Sequence, residues 1–190
     1  MATACGDLVG ATGDQGLVNY SLRTNYDVEL EDLRAVTLVT GHWQAIQIRL
    51  TSEGEREVGE ATVDHRVVPS EGIEVTIAAA GDVPDLELRA ATPGTYTLET
   101  LHDGEVLDSI ELTFDAASAI QINPKVRTPW SESWISVTEG ELTTIDEGTE
   151  VSFVPEPVDA SGRQLVGNMD LEATFDPAWA IVPGSNLQGL

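Results

Sequence analysis

Between residues 17 and 115 apolar and polar side chains alternate in short runs, and no segment keeps a helical spacing over three turns. LVNYSL (17–22), RAVTLVT (34–40), WQAIQIRL (43–50), IEVTIA (73–78), DLELRA (85–90), TYTLETL (95–101) and VLDSIELTF (106–114) each read as a half-buried strand. In WQAIQIRL, for example, Ile46, Ile48 and Leu50 fall on one face while Gln47 and Arg49 fall on the other. The gaps carry turn chemistry: TSEGE (51–55), PSEG (69–72), GDVPD (81–85), ATPG (91–94) and LHDGE (101–105) place Gly, Pro and Asp where the chain must reverse. Many short strands separated by such turns predict an all-β chain of antiparallel sandwich or barrel form.

The most specific local pattern is ATPGTYTLETLHDGEVLDSIELTF (91–114). Gly94 stands two residues before Tyr96 at the start of a strand, which resembles the tyrosine corner of immunoglobulin-like sandwiches, where the phenol bonds back to nearby backbone. Asp103-Gly104 then closes a hairpin between two alternating strands. The resemblance implies one immunoglobulin-like antiparallel β-sandwich over 17–115.

Beyond Asp115 a second set of strands begins at AIQINP, and EGTEVSFVPEPVDASGRQLVGNMDLEATFDPAWAIV (147–182) resembles the bacterial immunoglobulin-like domains found in tandem on surface proteins and adhesins. The matching features are Gly148 before TEVSF, Asp159 with Gly162 and Gly167 around a short loop, Leu171 and Phe175 in the next strand, and Asp176-Pro177 before AWAIV. This resemblance implies a second sandwich over 116–190, hence a tandem pair. The family pattern runs on for two more strands, so either this module is truncated or another segment supplies its missing edge. Such modules share no catalytic residues; what the resemblance implies is a spacer or a surface for other protein modules of an envelope.

Composition narrows the partners. The 190 residues hold 33 Asp and Glu against 9 Lys and Arg, a formal net charge of −24 with pI near 4.1. That field repels phosphate backbones, which excludes nucleic acid, and it disfavours anionic membrane surfaces. It suits solubility at high ionic strength, or weak capture of divalent cations by paired carboxylates. No run approaches the roughly 18 to 20 apolar residues of a membrane helix.

The single cysteine, Cys5, lies in MATACGDLVG. Ala2-Thr3-Ala4-Cys5-Gly6 resembles the end of a bacterial lipoprotein signal, whose cysteine is acylated, although the apolar segment that should precede it is missing and Met1 would then be an added start. The resemblance implies a lipid anchor at Cys5 and an extracellular or cell-envelope location, with residues 1–16 as a flexible tether. The alternative is a stray exposed thiol. One cysteine allows no internal disulfide.

Catalytic patterns are missing from the sequence. His42, His65 and His102 lack the spacing of a metal pair, and GxSxG, HExxH and phosphate-loop patterns are absent. Acidic clusters are frequent and read as solvated faces; Asp82 and Asp85, flanking a Pro-containing turn, are the candidates for calcium, and no other cofactor is implied. Trp130 and Trp134 in PWSESW, with Trp179, are the candidate ligand-binding aromatics. In a loop they would offer a platform to a sugar face, and in a strand, four residues apart, they would line the core or a seam. The expectation is a non-catalytic structural or adhesive module, with a carbohydrate-binding module as the alternative.

Overall fold

A computed structural model describes residues 8–23, 32–59, 62–78, 85–130, 133–137, 149–167 and 169. Its elements are mostly strands in antiparallel sheets, as the alternating pattern requires. The chain divides into two compact units: the described residues up to Ala116 together with residues 166, 167 and 169, and the described residues of Ala117–Leu165.

The first unit contains β1 (Leu8–Thr12), β2 (Val18–Arg23), β3 (Thr37–Val39), β4 (Gln44–Leu50), α1 (Ser52–Val58), β5 (Asp64–Val68), β6 (Ile73–Ala78), β7 (Asp85–Ala90), β8 (Gly94–His102) and β9 (Glu105–Asp115). One sheet runs β1-β2-β4-β7-β6 and the other β3-β9-β8-β5. Inward residues of both form one core, including Leu22, Ile46 and Leu88 from the first and Leu98, Ile110 and Phe114 from the second. Tyr96 and Phe114 meet edge to face, with centroids 5.6 Å apart at 85°.

Three elements depart from the sequence reading. Residues Ser52–Val58 are a helix rather than a turn, because the Thr51 hydroxyl accepts the Gly54 amide at 3.2 Å as an N-cap and Gly59 ends the helix with positive φ. Gly54 is needed there because a Cβ on it would overlap the Leu17 carbonyl oxygen. β5 is none of the strands that the alternation predicts, yet it pairs with β8 along its length. β3 pairs with β9 in parallel, and Val166 extends that edge: its amide reaches Thr37 O at 2.8 Å and its carbonyl takes the Val39 amide at 3.0 Å. A boundary at 116–190 therefore misplaces Val166, whose backbone completes the first unit.

The largest correction concerns the tether expected over residues 1–16. Cys5 lies outside the described residues, but from Leu8 the chain is strand β1, in register with β2 from Leu8↔Arg23 to Thr12↔Asn19. The connection is bound by Asp108, a fully buried carboxylate on β9. Asp108 Oδ1 accepts the Gln15 and Ser109 amides and Oδ2 the Leu17 and Val18 amides, all at 2.8 Å. Gly13 passes so close that a Cβ would collide with this carboxylate. The sequence carried the cue: Asp108 shares the inward register of Ile110, Leu112 and Phe114.

A second polar group is enclosed beside it. The Tyr20 phenol, fully buried on β2, lies 2.9 Å from Thr100 Oγ1, and Thr100 lies 3.2 Å from His65 Nδ1. Burial lowers the His65 pKa, opposed by Asp64, and burial raises that of Tyr20. With His65 neutral and accepting at Nδ1, the hydroxyls line up: Tyr20 donates to Thr100, which donates to the imidazole.

The Tyr96 hydroxyl donates to the Thr92 carbonyl at 3.1 Å, four residues upstream. Asp103 and Gly104 both take positive φ in the β8–β9 turn.

Two outcomes follow. Asp108→Asn replaces one acceptor oxygen with an amide donor and strands two N–H groups that are part-buried or buried, at about 1–3 kcal/mol for one that water does not reach, so denaturant unfolding should show a loss of at least about 1–3 kcal/mol; an unchanged midpoint would refute the bracing role. Tyr96→Phe should cost about 1 kcal/mol in the same measurement, through loss of the bond to Thr92.

Candidate interaction surface

The second unit is a single three-stranded sheet among the described residues: β10 (Ala119–Arg127) at the centre, β11 (Ile135–Ser136) on one side and β12 (Glu150–Val158) on the other. β10 and β12 pair antiparallel from Ala119↔Val158 to Arg127↔Glu150, and β11 pairs only with Lys125 and Val126. Because strand side chains alternate, this register sorts the residues into two unlike faces.

One face is apolar. Ile120, Ile122, Pro124 and Val126 of β10 stand opposite Pro157, Pro155, Phe153 and Val151 of β12, with Ile135 beyond Val126. Four of these are open to solvent: Ile120 at 42%, Ile122 at 54%, Ile135 at 54% and Phe153 at 38%. The opposite face carries Gln121, Lys125 and Arg127 against Glu156, Ser152 and Glu150, and Arg127 forms an ion pair with Glu150. The Arg127 guanidinium also sits 5.1 Å from the centroid of the Trp134 ring.

The backbone of β12 faces two ways. The Leu165 amide bonds Pro157 O at 2.8 Å and the Asp159 amide bonds Arg163 O at 2.9 Å, so the odd-numbered residues of β12 turn their peptide groups away from β10. Pro155 and Pro157 occupy such positions, where a missing N–H costs the ladder nothing. The turn at 159–163 closes this edge. Asp159 Oδ1 accepts the Ser161 hydroxyl at 2.6 Å and the Ser161 and Arg163 amides at 2.8 and 3.0 Å, while Oδ2 accepts Arg163 Nε at 2.9 Å. The Ser161 hydroxyl first, then the two amides and the guanidinium, hold the Asp159 carboxyl down to about 2.

The sequence-predicted site residues are dispersed. Trp130 is 77% exposed, and Trp134 is also exposed but lies against Arg127; the two rings make no aromatic contact among the described residues. Cys5, Trp179 and Asp82 lie outside the described residues. Asp85 begins β7, paired with Gln47 and Ala78, and no group of three or more His, Cys, Asp or Glu gathers around it or elsewhere among the described residues. No described helix is long and apolar enough to cross a membrane. Sequence reasoning overlooked Ile120, Ile122 and Phe153, although AIQINP and TEVSF carry the alternation that places them on one face.

On the first unit, Arg89 stacks 4.8 Å from the Trp43 ring centroid, and its Nη2 donates to both Glu74 carboxylate oxygens at 2.7 and 2.8 Å. A shallow polar groove over Gly10, Thr12, Asn19, Ser21 and Arg49 lies on the β1-β2-β4 sheet.

Residues 15–102 match the profile of a family of unknown function, DUF6801. The matched span runs from the Asp108-bound connection through β8, within the first unit, and leaves the second unit outside. No curated protein and no solved structure matches the chain.

The Asp159 turn yields a pH test. A carboxyl depressed in the folded state stabilises above its unfolded value near 3.8 and loses that contribution as pH falls through about 2. An NMR titration of the Asp159 carboxyl carbon should show a midpoint near 2, with the Ser161 and Arg163 amides shifting together; a midpoint near 3.8 would contradict the bonding described.

Proposed function

We propose that this chain is a non-catalytic structural or adhesive module of a cell-envelope or extracellular protein, in which an immunoglobulin-like sandwich carries a second, immunoglobulin-like unit that binds protein. The observation that carries the reading is the open apolar face of the second unit. Exposed apolar side chains clustered on one face mark a contact surface more often than a catalytic one. The Tyr96 bond to Thr92 and the Asp103-Gly104 hairpin support the immunoglobulin-like assignment. The anchor would be Cys5, and since β1 begins at Leu8, an acylated Cys5 would hold the sandwich close to the membrane rather than at the end of a long tether.

Trp130 supports the carbohydrate alternative by its exposure, but Trp134 has Arg127 over its ring, so the two do not offer a sugar a clear double platform. Calcium remains an expectation tied to Asp82 and Asp85.

The test has two arms. Expressed from its complete gene, the wild type should partition into detergent and be cut by protease added to intact cells, and Cys5→Ser should move it to the aqueous phase; a protease-protected, aqueous wild type would overturn the envelope assignment. Calorimetry against a glycan panel should give no heat, whereas binding lost in Trp130→Ala would favour the carbohydrate module.

A further inference from the structure

The two edges of the β11-β10-β12 sheet are treated differently. Along β12, prolines at 155 and 157 remove outward donors and the Asp159 turn folds over the end. Along β10 the opposite edge has neither device among the described residues. Even-numbered residues of β10 turn their peptide groups away from β12, as the Val137 amide on Pro124 O at 2.9 Å confirms for that parity, and β11 covers this side only at Lys125 and Val126. Ile120 and Ile122 therefore point their N–H and C=O groups off the edge with no strand beside them among the described residues, and their side chains are exposed. Residues 116–124, AASAIQINP, carry no charge and, before Pro124, none of the proline or lysine gatekeepers that blunt an edge.

We infer that this edge pairs with a second copy of the chain, β10 against β10 across a two-fold axis at Gln121. Two observations select that partner. Each chain carries net charge −24, so self-contact over most of the surface sets carboxylate against carboxylate, whereas here an uncharged strand meets its own uncharged copy. The edge is also self-complementary. With Gln121 on the axis, Ile120 of one copy faces Ile122 of the other, both outward-turned, and the two pairs exchange four hydrogen bonds, two per pair. Shifting the axis to Ile122 would set Ile120 against Pro124, which has no N–H and whose carbonyl is held by Val137. Shifting it to Ile120 would set Ile122 against Ser118, whose amide is bound to Val158 O at 2.8 Å. Only the Gln121 register leaves every outward group of Ile120 and Ile122 paired. It also joins the apolar strips of the two sheets through four isoleucines. β11 limits the pairing to Ala119–Asn123.

The inference deepens the reading of the second unit as a docking module by naming its partner, and it is tested without reference to the membrane. Sedimentation velocity of the full chain over a range of micromolar concentrations should show monomer–dimer exchange. The dimer should grow as NaCl rises to molar strength, where screening shortens from about 10 Å to about 3 Å. Amide exchange by NMR should slow at Ile120 and Ile122 as concentration increases, while Gln121 and Asn123, already facing β12, stay constant. Ile122→Pro removes one outward donor per copy without touching the β12 ladder and should raise the dimer dissociation constant at least tenfold; Ile122→Val keeps the donor and should keep the dimer. A chain monomeric at all concentrations and salts, or a dimer in which Ile120 and Ile122 exchange as in the monomer, overturns the pairing while leaving the Cys5 partition result as it stands. The wild-type exchange data decide the matter even if the proline variant fails to fold.

Discussion

Four backbone amides converge on one carboxylate inside the sandwich, and much of the first unit is organised around that convergence. Asp108 lies on β9 in the second sheet; two of its four donors, Gln15 and Leu17, belong to the β1–β2 connection of the first, and a third, Val18, opens β2. A buried carboxylate without partners would be costly, and amides at a tight chain reversal would be costly too. Each satisfies the other, and the contact spans more than ninety residues of sequence. The Tyr20–Thr100–His65 series lies in the same core, so polar groups there are joined across sheets by directed bonds rather than scattered. Apolar packing of Leu88, Leu98, Ile110, Leu112 and Phe114 then supplies the non-directional part of the stability.

The second unit solves a different problem with fewer residues. A three-stranded sheet has two faces and two edges, and only one edge is closed by covalent means, through prolines whose missing N–H groups point outward. Its polar face is tied by the Arg127–Glu150 pair and the stacking of Arg127 on Trp134, while its apolar face and its β10 edge stay available among the described residues. A strongly acidic chain keeps most of its surface apart from other copies by repulsion. An uncharged, unblunted edge is the place where that repulsion is weakest. Association and solubility are therefore assigned to different parts of one surface.

Much of the strand content was legible because period-two alternation is a local property: WQAIQIRL, DLELRA and VLDSIELTF announce their inward faces without reference to anything distant. The Asp103-Gly104 turn and the Tyr96 bond were legible for the same reason, since their partners lie within a few residues. The helix at Ser52–Val58 was missed because seven residues are too few for a periodic signal, and its decisive contact, Gly54 against Leu17, is remote. Residues 8–16 looked like a tether because Gly, Asp and Thr lack a pattern; their order comes from Asp108, and the hint was a charged residue on an otherwise apolar face.

The sequence by itself determined an all-β chain, a field hostile to polyanions, and the tight turn at Asp103-Gly104, because hydropathy alternation, net charge and backbone preferences act over short range or by simple sum. Only the tertiary structure decided which strands are neighbours, that Val166 returns to the edge of β3, that Asp108 braces the β1–β2 connection, and that Ile120 and Ile122 stand on an edge that no other described strand covers. Those outcomes depend on the pairing of groups far apart in the chain. A strand's own residues specify its two faces, but what lies across its edges is set by whichever distant segment satisfies the backbone there.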